Sequence, residues 1–77
     1  MDKESRLSAI TLAINENIEK EAQALYGAEM SIKTREYAHL KLCAEKLIAA
    51  QAENIILSNE AKELQLEIEQ ERMDLII

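Results

Sequence analysis

Leu47-Ile48-Ala49-Ala50-Gln51-Ala52-Glu53-Asn54-Ile55-Ile56-Leu57 decides how this chain folds. The stretch sits inside a segment that runs from about residue 34 to the C-terminus without a Gly or a Pro, the residues that usually punctuate a chain. A continuous helix of that length extends roughly 60 Å at 1.5 Å per residue. Such length exceeds an ordinary globular helix and suggests a coiled coil. A heptad register fits the segment. Leu40, Leu47, Asn54, Ala61, Ile68 and Leu75 fall at a, and Cys43, Ala50, Leu57, Leu64 and Glu71 at d. Nine of these eleven positions are apolar, with Asn54 and Glu71 the exceptions.

The seam does not use up the apolar residues. Ile48, Ala49, Ala52, Ile55 and Ile56 lie outside it, so the stretch from Leu47 to Leu57 is apolar on more than one side. A helix apolar nearly all round is buried on several sides. One side takes a first helix of the same chain, and another is left for a second chain. The expected dimer interface is Leu40, Cys43, Leu47, Ala50, Asn54, Leu57, Leu64 and Ile68. A lone Asn at an a position fixes register and favours a parallel two-stranded coil. The alternative reading of Asn54 is a solvent-facing residue where the register fails locally.

Working back along the chain, Leu7, Ile10, Ile14, Ile18, Ala22 and Leu25 are spaced to draw one apolar stripe on a helix. Asp2 or Ser5 can cap its start. Gly27 directly follows Leu25-Tyr26 and reads as the residue that ends the helix, because it enters the left-handed conformation without a Cβ penalty. The other reading is a Gly tolerated inside one long helix, at about 1 kcal/mol relative to Ala. The expected organisation is a single helical domain over 1–77: helix 1 at about 2–26, a turn at 27–33, and a long helix 2 at about 34–76. A short connection favours an antiparallel hairpin. Tyr26 and Tyr37 are expected to pack across the turn, and Met30 to plug the end of the core. The fold class is all-α: an antiparallel helical hairpin with a long second helix, dimerising into a coiled-coil or four-helix-bundle arrangement.

Composition supports this and excludes much else. The 77 residues contain one Gly and no Pro, Trp or Phe, and 48% are apolar, too many for a disordered chain. One domain this short is marginal alone. The single Cys43 permits no intrachain disulfide, so oligomerisation is the leading remedy. A lone thiol fits a reducing compartment. The polar N-terminus carries no apolar stretch of the secretory kind, and the apolar runs are too short to span a bilayer. A cytoplasmic location without membrane association is expected. Fifteen acids against nine bases give a net charge of −6, which argues against direct nucleic-acid binding.

Few residues invite chemistry. His39 and Cys43, four apart on one helix face, could supply two metal ligands, and a symmetric dimer four. The plainer reading, preferred here, is a buried thiol behaving as a small hydrophobe beside a surface histidine. No cofactor, metal or catalytic residue is expected: one His and one Gly supply neither a nucleophile triad nor a phosphate loop. Glu60, Glu63, Glu67, Glu71 and Asp74 form a carboxylate stripe, and Met73, Leu75, Ile76 and Ile77 end the chain. A solvated face accounts for the stripe; a docking surface for a basic partner is the functional alternative. The candidate docking residues are Glu60, Glu63, Glu67, Glu71, Met73, Leu75, Ile76 and Ile77, because helix 1, by its expected length, stops short of them.

A short helical hairpin that pairs into a four-helix arrangement resembles, in architecture alone, the small regulatory proteins of plasmids and phages. The functional expectation is a non-enzymatic protein–protein interaction module, a small regulatory or adaptor protein acting as a homodimer and meeting a further protein partner, basic if the stripe is used. The alternative is a small acidic inhibitor, of the kind phages encode, that occupies the basic surface of a nucleic-acid-binding protein.

Overall fold

A computed structural model describes residues 2–76, with the side chain of Ile76 outside the description. Two helices, α1 (Lys3–Thr34) and α2 (Tyr37–Ile76), pack against each other as a hairpin about 63 Å long and 17 × 14 Å across. The all-helical hairpin expected from the sequence is the observed fold.

Both helices bury one stripe. On α1 the four buried residues, Ile10, Asn17, Ala24 and Ser31, lie seven apart, with Leu7, Ile14, Glu21 and Ala28 half-buried between them. On α2, Leu40, Cys43, Leu47, Ala50, Asn54, Leu57, Ala61, Leu64 and Ile68 are all buried or half-buried. These are the heptad positions read from the sequence, up to Ile68. Glu71 and Leu75 are exposed.

The α1 stripe departs from expectation after Ile14. Ile18 and Leu25 stand 51% and 50% exposed, and Ala22 is exposed as well. Steps of four residues advance about 400° around a helix and drift steadily off any straight line, whereas a helix held along one partner needs alternating threes and fours, a period near 3.5. The partner-facing line therefore runs through Asn17, Glu21 and Ala24. The more apolar residues beside them are turned outward.

Gly27 does not end α1. The helix continues to Thr34, and the connection shrinks to Arg35-Glu36. Arg35 takes the left-handed conformation (φ 60°, ψ 32°). Its N–H donates to the Ile32 carbonyl at 3.3 Å, while the Glu36 N–H donates to the Ser31 carbonyl at 2.9 Å. This pair of bonds is the Schellman closure of a helix end, here built without glycine. At the other end, of the two expected caps Asp2 and Ser5, Asp2 is the one used, its Oδ1 accepting from the Ser5 N–H at 2.6 Å.

Gly27 serves packing instead. A Cβ at this position would lie 2.8 Å from the Cys43 Sγ. Ala24, Ala28 and Ser31, buried or half-buried on the same stretch of α1, are also small. The Ser31 hydroxyl is satisfied locally by donating to the Gly27 carbonyl at 2.7 Å. Tyr26, Tyr37 and Met30 do not close this end: they are 67%, 63% and 41% exposed, because the narrow seam leaves no room for them.

Two substitutions check this assignment. Gly27→Ala should lower stability by about 1 kcal/mol in thermal or urea unfolding, since overpacking outweighs the gain in helix propensity. With Cys43→Ala in the background, the same change should become stabilising by about 1 kcal/mol. Arg35→Gly should raise stability by up to about 1 kcal/mol, by relieving the left-handed strain of a residue with a Cβ.

Candidate functional site

Among the described residues the seam carries one buried polar pair. Asn17, 3% exposed, donates through Nδ2 to Asn54 Oδ1 at 3.0 Å, and Asn54 Nδ2 reaches the Ile14 carbonyl at 3.5 Å. Asn54 is thus half-buried on the seam rather than solvent-facing, and its hydrogen bonds run within the chain. Its mate is an Asn near the middle of the antiparallel helix of the same chain. Sequence reasoning missed Asn17, although it stands seven residues after Ile10 and seven before Ala24; the brighter apolar signal of Ile18 concealed it.

The expected dimer-interface residues, Leu40, Cys43, Leu47, Ala50, Asn54, Leu57, Leu64 and Ile68, all face α1 within the chain. A second chain on that same stripe would have to displace α1.

The distal end is clasped by ion pairs. Lys3 Nζ lies 3.5 Å from Glu67 and closer still to Glu71. Arg6 meets Glu60 at 3.0 Å and Arg72 meets Glu4 at 3.5 Å. The expectation that helix 1 stops short of the acidic stripe is corrected: α1 has 32 residues, so it reaches Glu71. Beneath these pairs Leu64 is 4% exposed. Of the expected docking residues, Glu60, Glu67 and Glu71 hold partners in the chain, while Glu63, Met73 and Leu75 remain open, the last at 86%. Ile77 and the Ile76 side chain fall outside the described residues. Hydrogen bonding to Glu71 holds the Lys3 ammonium above its ordinary range, with Glu67 adding to the effect against some desolvation. A raised lysine contributes at neutral pH and loses its contribution as pH climbs through the lysine range. The Ser5 N–H holds the Asp2 carboxyl below the usual carboxylate range, so its capping contribution persists above that range and fades as pH falls through it. Exposed pairs of this kind contribute little individually.

Two long faces flank the seam. One is a groove of about 500 Å³ between Lys20, Gln23 and Gly27 on α1 and His39, Lys46 and Glu53 on α2, with Asn17, Ala24, Cys43 and Ala50 as its floor. The Cys43 Sγ lies 3.7 Å from His39 Nε2 there. No group of three or more metal-ligating side chains gathers among the described residues. The opposite face differs in character. Its distal half carries charge, with Glu4, Gln65, Glu69 and Arg72 around Leu7 and Ile68. Its turn-proximal half presents Ile18, Leu25 and Ile32 from α1 beside Tyr37, Ile48 and Ile55 from α2, each 50–64% exposed. On each helix these residues recur mostly at sevens, immediately next to the seam positions.

Among the described residues no helix is long and apolar enough to cross a membrane. No family model, curated protein or solved structure matches the chain. What the fold defines is a class by architecture, the two-helix antiparallel coiled-coil hairpin, and an architecture does not fix a function.

The Asn pair yields a test. Asn54→Leu alone leaves the buried Asn17 amide without its mate, at about 1–3 kcal/mol in chemical denaturation. Adding Asn17→Leu should recover most or all of that loss, a strong non-additivity for residues in direct contact. Additive losses would mean that the two amides do not act as a pair.

Proposed function

We propose that this chain is a non-enzymatic protein–protein interaction module that works as a homodimer. The observation that carries the reading is the thinness of its interior. Among the described residues the buried apolar side chains are Ile10, Ala24, Cys43, Ala50 and Leu64, three of them small. A hairpin of two helices has one seam and no enclosed centre. A chain of 77 residues with so little buried apolar surface needs an added source of stability. Disulfide bonding within the chain is excluded by the single cysteine. The large apolar residues that the seam does not use supply what association requires.

The adaptor form of this reading adds a second contact at the distal end. Met73 and Leu75 stand exposed on the last turns of α2 close in sequence to Glu69 and Asp74, a combination suited to a basic protein partner with an apolar pocket. Blocking of a nucleic-acid-binding protein by an acidic surface is the weaker reading. Mimicry needs free carboxylates in a row, and Glu60, Glu67 and Glu71 are already met by Lys3 and Arg6.

Sedimentation equilibrium should find dimers at micromolar concentration, and the melting temperature should rise with protein concentration, as it must when association stabilises the folded form. A chain that stays monomeric at about 100 µM, roughly a hundred times a micromolar dissociation constant, overturns the homodimer.

A further inference from the structure

We infer that the second copy seats on the turn-proximal apolar face, Ile18, Leu25, Ile32, Tyr37, Ile48 and Ile55, and that the two hairpins cross antiparallel so that their acidic distal ends point away from each other. The inference rests on the homodimer reading above and names its surface and geometry. The six side chains, each half to two-thirds exposed, leave an apolar patch on the order of 600 Å², the top of the range a monomer ordinarily leaves open. Two such patches bury about 1,200 Å² in all, the lower bound of a stable specific interface. The patch is therefore large enough for a second copy. Its rows at sevens continue the seam's own period, so four helices can pack as a bundle with the present seam kept closed.

Charge chooses the direction. Residues 2–17 and 60–76 form the distal half, with nine acids against four bases, net −5. Residues 18–59 form the turn-proximal half, with six acids against five bases, net −1. Were both turns at one end, two −5 halves would lie side by side over their whole length. With the hairpins antiparallel, only the nearly neutral halves overlap and the acidic halves extend in opposite directions. A two-fold axis at Leu25 then sets Leu25 against its own copy. It also places Ile18 of each chain opposite Ile32 of the other, since both stand seven residues from the axis. Such an interface is isologous and closed, so assembly stops at two. In the opposite arrangement α1 faces α2 of the other copy, and the two Leu25 side chains lie on diagonal helices.

The test combines shape and cross-linking on the full chain. Two rods of 63 Å overlapping by roughly 30 Å, about twenty residues at 1.5 Å each, make a particle of about 95 Å, whereas side-by-side hairpins remain near the length of one. Small-angle scattering should give the longer dimension. Leu25→Cys in a Cys43→Ser background should form a disulfide-linked dimer in a glutathione buffer. Ile18→Glu and Ile55→Glu should each weaken dimerisation at least tenfold with helicity retained by circular dichroism, while Gln23→Glu, on the opposite groove, should not. A dimer of the shorter dimension without the Leu25→Cys cross-link overturns the antiparallel seating and leaves the homodimer standing. A helical monomer at about 100 µM removes both and leaves the face for a different protein.

Discussion

The Asn17–Asn54 hydrogen bond sits near mid-seam, and the register of the rest follows from it. A line of Ala and Leu on both helices offers similar packing if one helix slides by a heptad. Sliding would set Asn17 against Leu47 or Ala61, burying an amide without its mate, at a cost of about 1–3 kcal/mol. The two-residue connection at Arg35-Glu36 allows the same register and no wide alternative. Once it is set, Gly27 comes under Cys43, Arg6 reaches Glu60 and Lys3 reaches Glu71. Packing at one end and the ion-pair clasp at the other are consequences of one polar choice in between.

A single seam also determines what remains outside. Each helix can turn only one stripe inward, so apolar residues beyond that stripe stand in water. The rod has a radius of gyration of 17.9 Å, against about 11 Å for a compact domain of this length. An elongated hairpin keeps little surface from solvent, and its long faces differ. The groove above Cys43 is narrow-floored and rimmed by Lys20, His39 and Lys46. The face across the seam is apolar toward the turn and charged toward the termini. This division separates an apolar surface from an acidic end on one molecule.

Much of this was legible in the residues, though unevenly. The heptad on α2 is legible from Leu40 to Ile68, because its a and d positions are apolar with only Asn54 interrupting. On α1 the same period was hidden. Asn17, Glu21 and Ser31 occupy seam positions, while Ile18, Leu25 and Ile32 lie one residue further on, so hydrophobicity alone followed the outer row. Gly27 was misread for a related reason. A lone Gly after an apolar stripe has the pattern of a helix end, and nothing local to it reveals a sulfur atom across the seam. Ending helix 1 there made it appear too short to reach Glu60 and Glu67, and the acidic stripe accordingly looked free.

The sequence by itself determined the helical class, a cap for α1 at Asp2 or Ser5, the seam-forming side of α2 and the surplus of apolar residues beyond one seam. These follow from propensity and periodicity, which act within a few residues along the chain. Only the tertiary structure decided that Asn54 faces Asn17, that Gly27 makes room for Cys43, that Arg35 takes the turn, and that Lys3 and Arg6 neutralise part of the distal acid. Periodicity states which side chains share a face of one helix. What lies opposite that face depends on a segment 30 to 70 residues away, and that pairing is chosen by the fit of two whole stripes at once.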